Sequence, residues 1–348
     1  MHNKSTGSRY GVHRSIEPEG SLPQPAWKLN NTVEIWDNEI LIDVETLNID
    51  AASFRQMSEQ ASSDPEGIKA IILKTVADRG KQHNPVTGSG GMLTGSIAQI
   101  GAALQGSIDL ATGDRIATLV SLSLTPLKIQ RIIAIRPETC QVDVEAQAVL
   151  FASGIYAKLP QDMPDKLALA VLDVAGAPAQ TAKIVQPGNT VLVIGGGGKS
   201  GLLCLHEAKK QAGARGRVIA LDLTDSALAR IEKSGCADII LQGNARDSVN
   251  VLTKVSEATN GGLADVTINC VDASGTEMSS ILATKDGGLV YFFSMATSFT
   301  SAALGAEGVG KDVQMLIGNG YTKGHAETAL NVLRQNAVLR GIFTDLYA

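Results

Sequence analysis

Residues 190–222, TVLVIGGGGKSGLLCLHEAKKQAGARGRVIALD, limit the folds open to this chain more than any other stretch. Val191-Leu192-Val193-Ile194 is rich in β-branched residues and follows the turn signal Pro187-Gly188-Asn189. Gly195, Gly196, Gly197 and Gly198 come next, then Lys199-Ser200-Gly201. Apolar positions thin to a helical pattern over 202–211, and a second β-rich run, 217–221, ends in Asp222. Strand, glycine turn, helix, strand, acid is the order of a dinucleotide-binding unit.

Each part has a chemical reason. A pyrophosphate reaches the free N–H groups of a helix N-terminus only where the turn carries no side chains. The glycines read in two registers, Gly196-x-Gly198-x-x-Gly201 or Gly195-x-Gly197-x-x-Ser200; counting from the strand end favours the second. Asp222, about one strand-helix-strand further on, is placed to accept hydrogen bonds from ribose hydroxyls and to repel a 2′-phosphate. That favours NAD over NADP, with Arg230 and Lys233 downstream keeping the question open. Gly198-Lys199-Ser200 also copies the end of a P-loop, but the first glycine of that motif would fall on Val193, inside the strand.

The chain of 348 residues is long enough for two domains, each with its own core. A net charge of -5 without a basic block leaves nucleic acid no electrostatic footprint. No apolar run is long enough to span a bilayer, and the polar N-terminus is no signal peptide, so a cytoplasmic protein without a membrane partner is expected. Cys140, Cys204, Cys236 and Cys270 are too scattered for a closely spaced metal cluster or a disulfide framework, although spatial pairing stays open.

Residues 1–30 read as an irregular leader, rich in proline and glycine, which either wraps the surface or reaches a site. Residues 33–35 and 39–44 suggest a strand pair around Trp36-Asp37-Asn38, 51–62 and 65–78 two helices, and 116–120 and 129–135 two strands. The glycine-dense run His83 to Met92 implies close backbone approach. Residues 146–157, 166–172 and 177–184 read as helical. Beyond them, strands at 190–194, 217–221, 238–241, 264–270, 288–293 and 313–317 alternate with helices. The fold class is therefore α/β: a Rossmann doubly wound parallel sheet preceded by a mainly β domain. The expected division is 1–155, 156–336 and a tail, 337–348, packing on the first domain. The apolar strand 313–317 could pair across a two-fold axis, so a homodimer is expected.

This order of parts resembles the medium-chain dehydrogenase/reductase superfamily, whose first domain is GroES-like. The resemblance covers nearly the whole chain and is carried by Gly113-Asp114-Arg115, the linking helix, the Rossmann unit and residues 264–295. Departures from the zinc alcohol dehydrogenases are clear: no cysteine lies near 35–55, no Gly-His-Glu follows His83, and the four-cysteine lobe is missing. The leader YGVHR…EPEG…LPQPAW, the turn GGGGKSG and residues 84–92, NPVTGSGGM, are similar to the zinc-free 3,5-diaminohexanoate dehydrogenase family.

That resemblance implies NAD-dependent oxidative deamination of a small diamino acid, in lysine fermentation, and no bound metal. A zinc-independent quinone or enoyl reductase of the same superfamily and a dinucleotide binder without turnover are the alternatives. An amine gives up hydride only after its ammonium proton has left; the iminium formed is electrophilic enough to add water without a Lewis acid. The substrate's carboxylate needs a cation and its ammonium groups need carboxylates or carbonyls. Arg14 is the expected carboxylate clamp, or else a surface arginine paired with Glu17. Asp173, between apolar residues, is the expected ammonium partner, or else a helix-terminal aspartate. His83 is the expected general base and His13 the second choice, with a structural histidine as the rival reading. Ser89 and Thr87 are candidates to bond substrate or ribose, while Glu138 reads as a solvated loop residue. Gly195, Gly197, Gly198, Ser200, Gly201 and Asp222 are expected to hold the cofactor. Lys199 either adds charge near the pyrophosphate or faces solvent, and Cys270 lies near the nicotinamide or simply packs.

Overall fold

A computed structural model describes residues 6–86, 88–318 and 320–347, and divides the chain into two compact units, Met1–Gln161 and Asp162–Ala348. The first unit is built on a six-stranded antiparallel sheet. Its strands are β3 (Glu39–Asn48), β4 (Met92–Ile100), β5 (Arg115–Thr118), β6 (Leu127–Arg136), β7 (Gln141–Phe151) and β8 (Tyr156–Lys158), in the order β6-β7-β3-β4-β5-β8. Two helices, α1 (Ala51–Gln60) and α2 (Pro65–Arg79), bury Phe54, Met57, Ile68, Ile72 and Val76 in the same core as Ile42, Leu47 and Val142. α2 has the ends its sequence specifies: the Asp64 carboxylate accepts from Glu66 and Gly67 N–H, Pro65 opens the helix, and Gly80 closes it at φ 68°. The leader adds a two-stranded ribbon, β1 (Ser15–Glu17) with β2 (Lys28–Leu29).

Two sequence expectations fail here. Residues 33–35 form no strand, because β3 pairs instead with β4 and β7 over its length. Residues 146–157, expected to be helical, complete β7 and lead into β8. In QVDVEAQAVLF the inward positions of β7 are buried on a period of two over most of its length, and its central place between β3 and β6 overrides the helix propensity of its alanines.

The second unit is a parallel sheet in the order β11-β10-β9-β12-β13-β14. The strands are β9 (Thr190–Ile194), β10 (Arg217–Asp222), β11 (Ile239–Gln242), β12 (Ala264–Asn269), β13 (Thr284–Phe292) and β14 (Val313–Ile317). Helices α3 (Asp165–Leu172), α4 (Gly176–Ile184), α5 (Lys199–Ala212), α6 (Asp225–Ser234), α7 (Ser248–Ala258), α8 (Glu277–Leu282), α9 (Phe299–Val309), α10 (His325–Gln335) and α11 (Ala337–Tyr347) complete it. The strand order turns back between β9 and β12, and a crevice opens at that switch point beyond the carboxyl ends of the strands. The tail expected over 337–348 is instead the helix α11, packed on α3, α6 and α10 of its own unit. Its reason is amphipathic: Leu339, Ile342 and Phe343 are buried on one face. No helix among the described residues is long and apolar enough to cross a membrane.

Candidate active site

β9 is buried from Val191 to Ile194 and hands over to the glycine turn. Gly195 sits at φ 79°, and its N–H and that of Gly196 both donate to Leu221 O, tying the turn to the tip of β10. A Cβ on Gly197 would lie 2.5 Å from Ala227 O, so this glycine is the contact that lets α6 approach. A Cβ on Gly201 would stand 2.1 Å from Gly195 O; this is the close helix-to-turn contact. Gly198, the N-cap of α5, differs from both, since a Cβ there would meet nothing nearer than Gly195 O at 3.5 Å and would project into the cleft. The glycine roles therefore fall at Gly195, Gly198 and Gly201. The register Gly195-x-Gly197-x-x-Ser200 is corrected: Gly197 faces α6 and Ser200 is not the packing position. The reason is a turn one residue longer than the spacing assumed.

The cleft has a volume of about 540 Å³ and is lined on one side by Gly198, Lys199 and Ser200, whose first-turn N–H groups have no partner inside the helix. On its other side stands Asp222, at the tip of β10. Its Oδ2 accepts from Gly197 N–H at 2.9 Å and its Oδ1 from Leu223 N–H at 2.7 Å. Two backbone donors fix the carboxylate and leave further lone pairs toward the cleft. Arg230 lines the same cleft, its Nε donating to Gly197 O at 2.9 Å. Arg246, which the sequence reading missed, lines it too and donates to Ser274 O. Cys270 lies at the far wall, directly after β12. The turn there is pinned by Asn269, whose amide donates to Thr276 and Ser280 hydroxyls at 2.9 Å while its oxygen accepts from Val271 N–H. A cradle walled by bare glycines, first-turn N–H groups and one fixed carboxylate fits a dinucleotide.

Lys199 does not face the cleft alone. Its Nζ pairs with Asp173 Oδ2 at 2.8 Å and stands 5.3 Å from the centre of the Tyr347 ring. Asp173 is not the buried carboxylate expected from its apolar neighbours. It ends α3 with its side chain 41% exposed, because the last turn of that helix points this position out of the core.

The first unit corrects two further expectations. Arg14 is 1% exposed and donates bidentately to Glu39, Nε to Oε1 at 2.9 Å and Nη2 to Oε2 at 2.5 Å. Its other N–H groups reach the carbonyls of Asn30, Thr32 and Glu34. Its donors are committed to Glu39 and to these backbone carbonyls, so it is neither a substrate clamp nor a surface partner of Glu17. His13 Nε2 meets the same Glu39 Oε1 at 2.8 Å, with its ring against Trp36, so it is no free base either. Burial alone would raise the Glu39 carboxyl, but the hydrogen bonds from His13 and Arg14, the Arg14 charge and Trp36 N–H hold it down to about 2. Glu39, absent from the sequence reading, is the hub of this cluster; an acid opening a strand carries no signal of that role.

His83 is half-buried. Burial first, then the charges of Lys81 and Arg79, push its imidazole down to about 4, against a hydrogen bond to the Gly88 backbone. Arg79 donates to His83 O at 2.6 Å and meets its Nδ1 at 3.3 Å. The ring is thus neutral near pH 7, as a base requires, yet its weak basicity and its arginine neighbour suit it to holding the 84–92 loop on α2. Within that loop Ser89 O accepts from Asn84 N–H, and Thr87 lies outside the described residues. Glu138 lies in an exposed turn. Beside His83, Lys81 is fully buried, and its Nζ donates to Pro23 O and Gln24 O at 2.7 and 2.9 Å. Burial and the Arg79 charge hold this amine down to about 7, against 10.5 in its ordinary state. Between those values the unfolded chain binds the extra proton, so this residue makes stability rise with pH over that window. Lys81→Met is expected to flatten the rise in a denaturant series run from pH 7 to 10; an unchanged slope would remove Lys81 as its source.

Among the described residues no group of three or more His, Cys, Asp or Glu side chains is arranged to hold a metal ion. Comparison with known proteins agrees with the architecture. A family model described as the L-erythro-3,5-diaminohexanoate dehydrogenase N-terminal domain matches residues 13–160. The chain is 58% identical over 341 residues to the L-erythro-3,5-diaminohexanoate dehydrogenase of Acetoanaerobium sticklandii, covering 98% of this chain and 99% of that one. It is 55% identical to the enzyme of the same name from Fusobacterium nucleatum subsp. nucleatum, with 98% and 99% covered. Among solved structures, mycobacterial Rv1454c complexed with NADPH shares the fold with a TM-score of 0.55 and 18% identity, over 89% of this chain and 81% of that one.

Proposed function

The chain belongs to the L-erythro-3,5-diaminohexanoate dehydrogenase family, and from that premise we propose that it oxidatively deaminates L-erythro-3,5-diaminohexanoate with NAD, giving 5-amino-3-oxohexanoate, ammonia and NADH. The observation that carries the cofactor reading is the Asp222 carboxylate, fixed by Gly197 N–H opposite the bare Gly198 turn. When bound, NAD supplies the hydride acceptor. The chain's own residues do the rest. The α5 N-terminus receives the pyrophosphate, and Asp222 accepts the ribose hydroxyls. Asp173, paired with Lys199 through Oδ2 and with a partly exposed side chain, remains the proposed ammonium partner. The ammonium proton passes to solvent, so kcat/KM rises with pH through the amine's own range.

The test is NADH formation from the diamino acid, followed beside NADP and with a chelator present. Turnover with NAD that survives chelation and releases one ammonia per NADH supports the reading; tight NAD binding with no turnover of the diamine dismisses the substrate. Arg230 and Arg246 favour a second reading, in which a guanidinium receives the 2′-phosphate of NADP. Asp222→Ala distinguishes the two. It is expected to lower kcat/KM with NAD roughly 10- to 100-fold and to leave NADP far less affected; an equal loss with both cofactors would remove Asp222 as the selector. The proposed assembly is a homodimer through β14, one of the two edge strands of its sheet, beside the exposed Phe299 and Leu304 of α9. A monomer by light scattering at micromolar concentration would dismiss it.

A further inference from the structure

Two of the cysteines meet at the wall of the dinucleotide cleft. Cys204 lies on α5, one turn past the glycine loop, and is buried; Cys270 follows β12 and lines the cleft. Their sulfurs are 3.9 Å apart, and both are free thiols. Nothing in the proposed reaction uses either one. The two positions differ in access: Cys270 is reached from the cleft, while Cys204 sits behind it, where burial pushes its thiol up and keeps it from reacting first.

We propose that Cys270 and Cys204 form an oxidative modification site, an attacking and a resolving thiol whose disulfide closes the cofactor cleft. A small hydroperoxide entering the cleft is attacked by the Cys270 sulfur; the O–O bond breaks and leaves a sulfenic acid on Cys270 and one water or alcohol. The Cys204 sulfur then displaces that hydroxyl, which departs as water with the Cys204 proton. The two thiols are oxidised by two electrons and the peroxide is reduced by two. Bond formation needs the sulfurs to close from 3.9 Å to about 2.05 Å, a change shared between the two side chains, the strand tip and α5. The strand tip's share of that change is passed to the glycine turn, which stands against it: the Cβ position of Gly195 lies 3.1 Å from the Cys270 carbonyl carbon. The crosslink therefore distorts the N-terminus of α5, where the pyrophosphate binds under the proposed function.

The experiment treats the full-length protein with hydrogen peroxide, with and without saturating NADH. Proteolytic peptides are mapped without reduction, and NADH affinity is measured by fluorescence before and after dithiothreitol. The expected result is a peptide pair joining Cys204 to Cys270, slower to form with NADH present, and an at least tenfold loss of affinity that dithiothreitol restores. Cys204→Ser is expected to bind NADH normally and to accumulate sulfinic acid on Cys270 instead of the crosslink; Cys204→Ala serves if the serine variant does not fold. Oxidation confined to other thiols, or a crosslink that leaves affinity unchanged, overturns the proposal. Failure of the reduced protein to bind NADH would count against the cofactor reading alone, since the peptide map still decides the crosslink.

Discussion

Gly198→Val is expected to weaken dinucleotide binding about 100-fold or more while leaving the unfolding temperature nearly unchanged. At φ −80° and ψ 173° this position is ordinary extended backbone, and a Cβ there meets no protein atom closer than 3.5 Å. The added methyl groups go into the cleft, over the N–H groups that would receive the pyrophosphate. Those charge-assisted hydrogen bonds are worth about 1.5–3 kcal/mol each, so losing even the better part of two yields an effect of this size. Gly201→Ala supplies the contrast. Its Cβ would fall 2.1 Å from Gly195 O, so it is expected to destabilise the second unit by about 1–3 kcal/mol through overpacking. Titration calorimetry and thermal melts on the two variants separate the roles. A Gly198→Val protein that binds NADH normally would show that the cradle has been placed on the wrong glycine.

Glu39→Gln is expected to cost the first unit about 3–5 kcal/mol, the penalty for leaving one member of a buried ion pair without its partner. The carboxylate accepts from Arg14 twice, from His13 and from Trp36 N–H, and it and the guanidinium are fully buried. The same geometry sets a pH dependence. The folded carboxyl lies near 2 and the ordinary one near 4.5, so the stabilisation is full above about 4.5 and is lost as the pH falls toward 2. Urea unfolding of both proteins from pH 7 to 3 measures it. A loss below about 1 kcal/mol at pH 7, or an acid limb that persists unchanged in Glu39→Gln, would mean that the cluster does not hold the leader.

The nucleotide unit was legible because its constraints are local. β9, the glycine turn, α5 and Asp222 follow one another along the chain, and each rule that shapes them acts over a few residues. Cys270, on the next crossover strand, was also reachable from the strand count. The glycine register was not, since four consecutive glycines satisfy two spacings and only the position of α6 decides which must lack a Cβ. β7 was misread because a central strand rich in alanine is stabilised by neighbours that are distant in sequence. Arg14 and Asp173 failed for opposite reasons. The arginine's partner, Glu39, stands in another element, and the aspartate's flanking leucine and valine said nothing about which way the last turn of α3 points. A carboxylate clamp and an isolated structural arginine present the same letter.

The leader is held largely by its main chain. Arg14 reaches the carbonyls of residues 30, 32 and 34, Lys81 those of 23 and 24, and Arg79 that of Trp27. A carbonyl is the same chemical group whatever side chain its residue bears. Sequence drift should therefore be lopsided: the cations that grip the segment are tightly restrained, while Gln24, Asn30 and Glu34 are free to diverge wherever their backbone path is kept. A saturation library over residues 14–35 and 79–81 would show this as a comb of tolerant positions beside three intolerant cations, Arg14, Arg79 and Lys81.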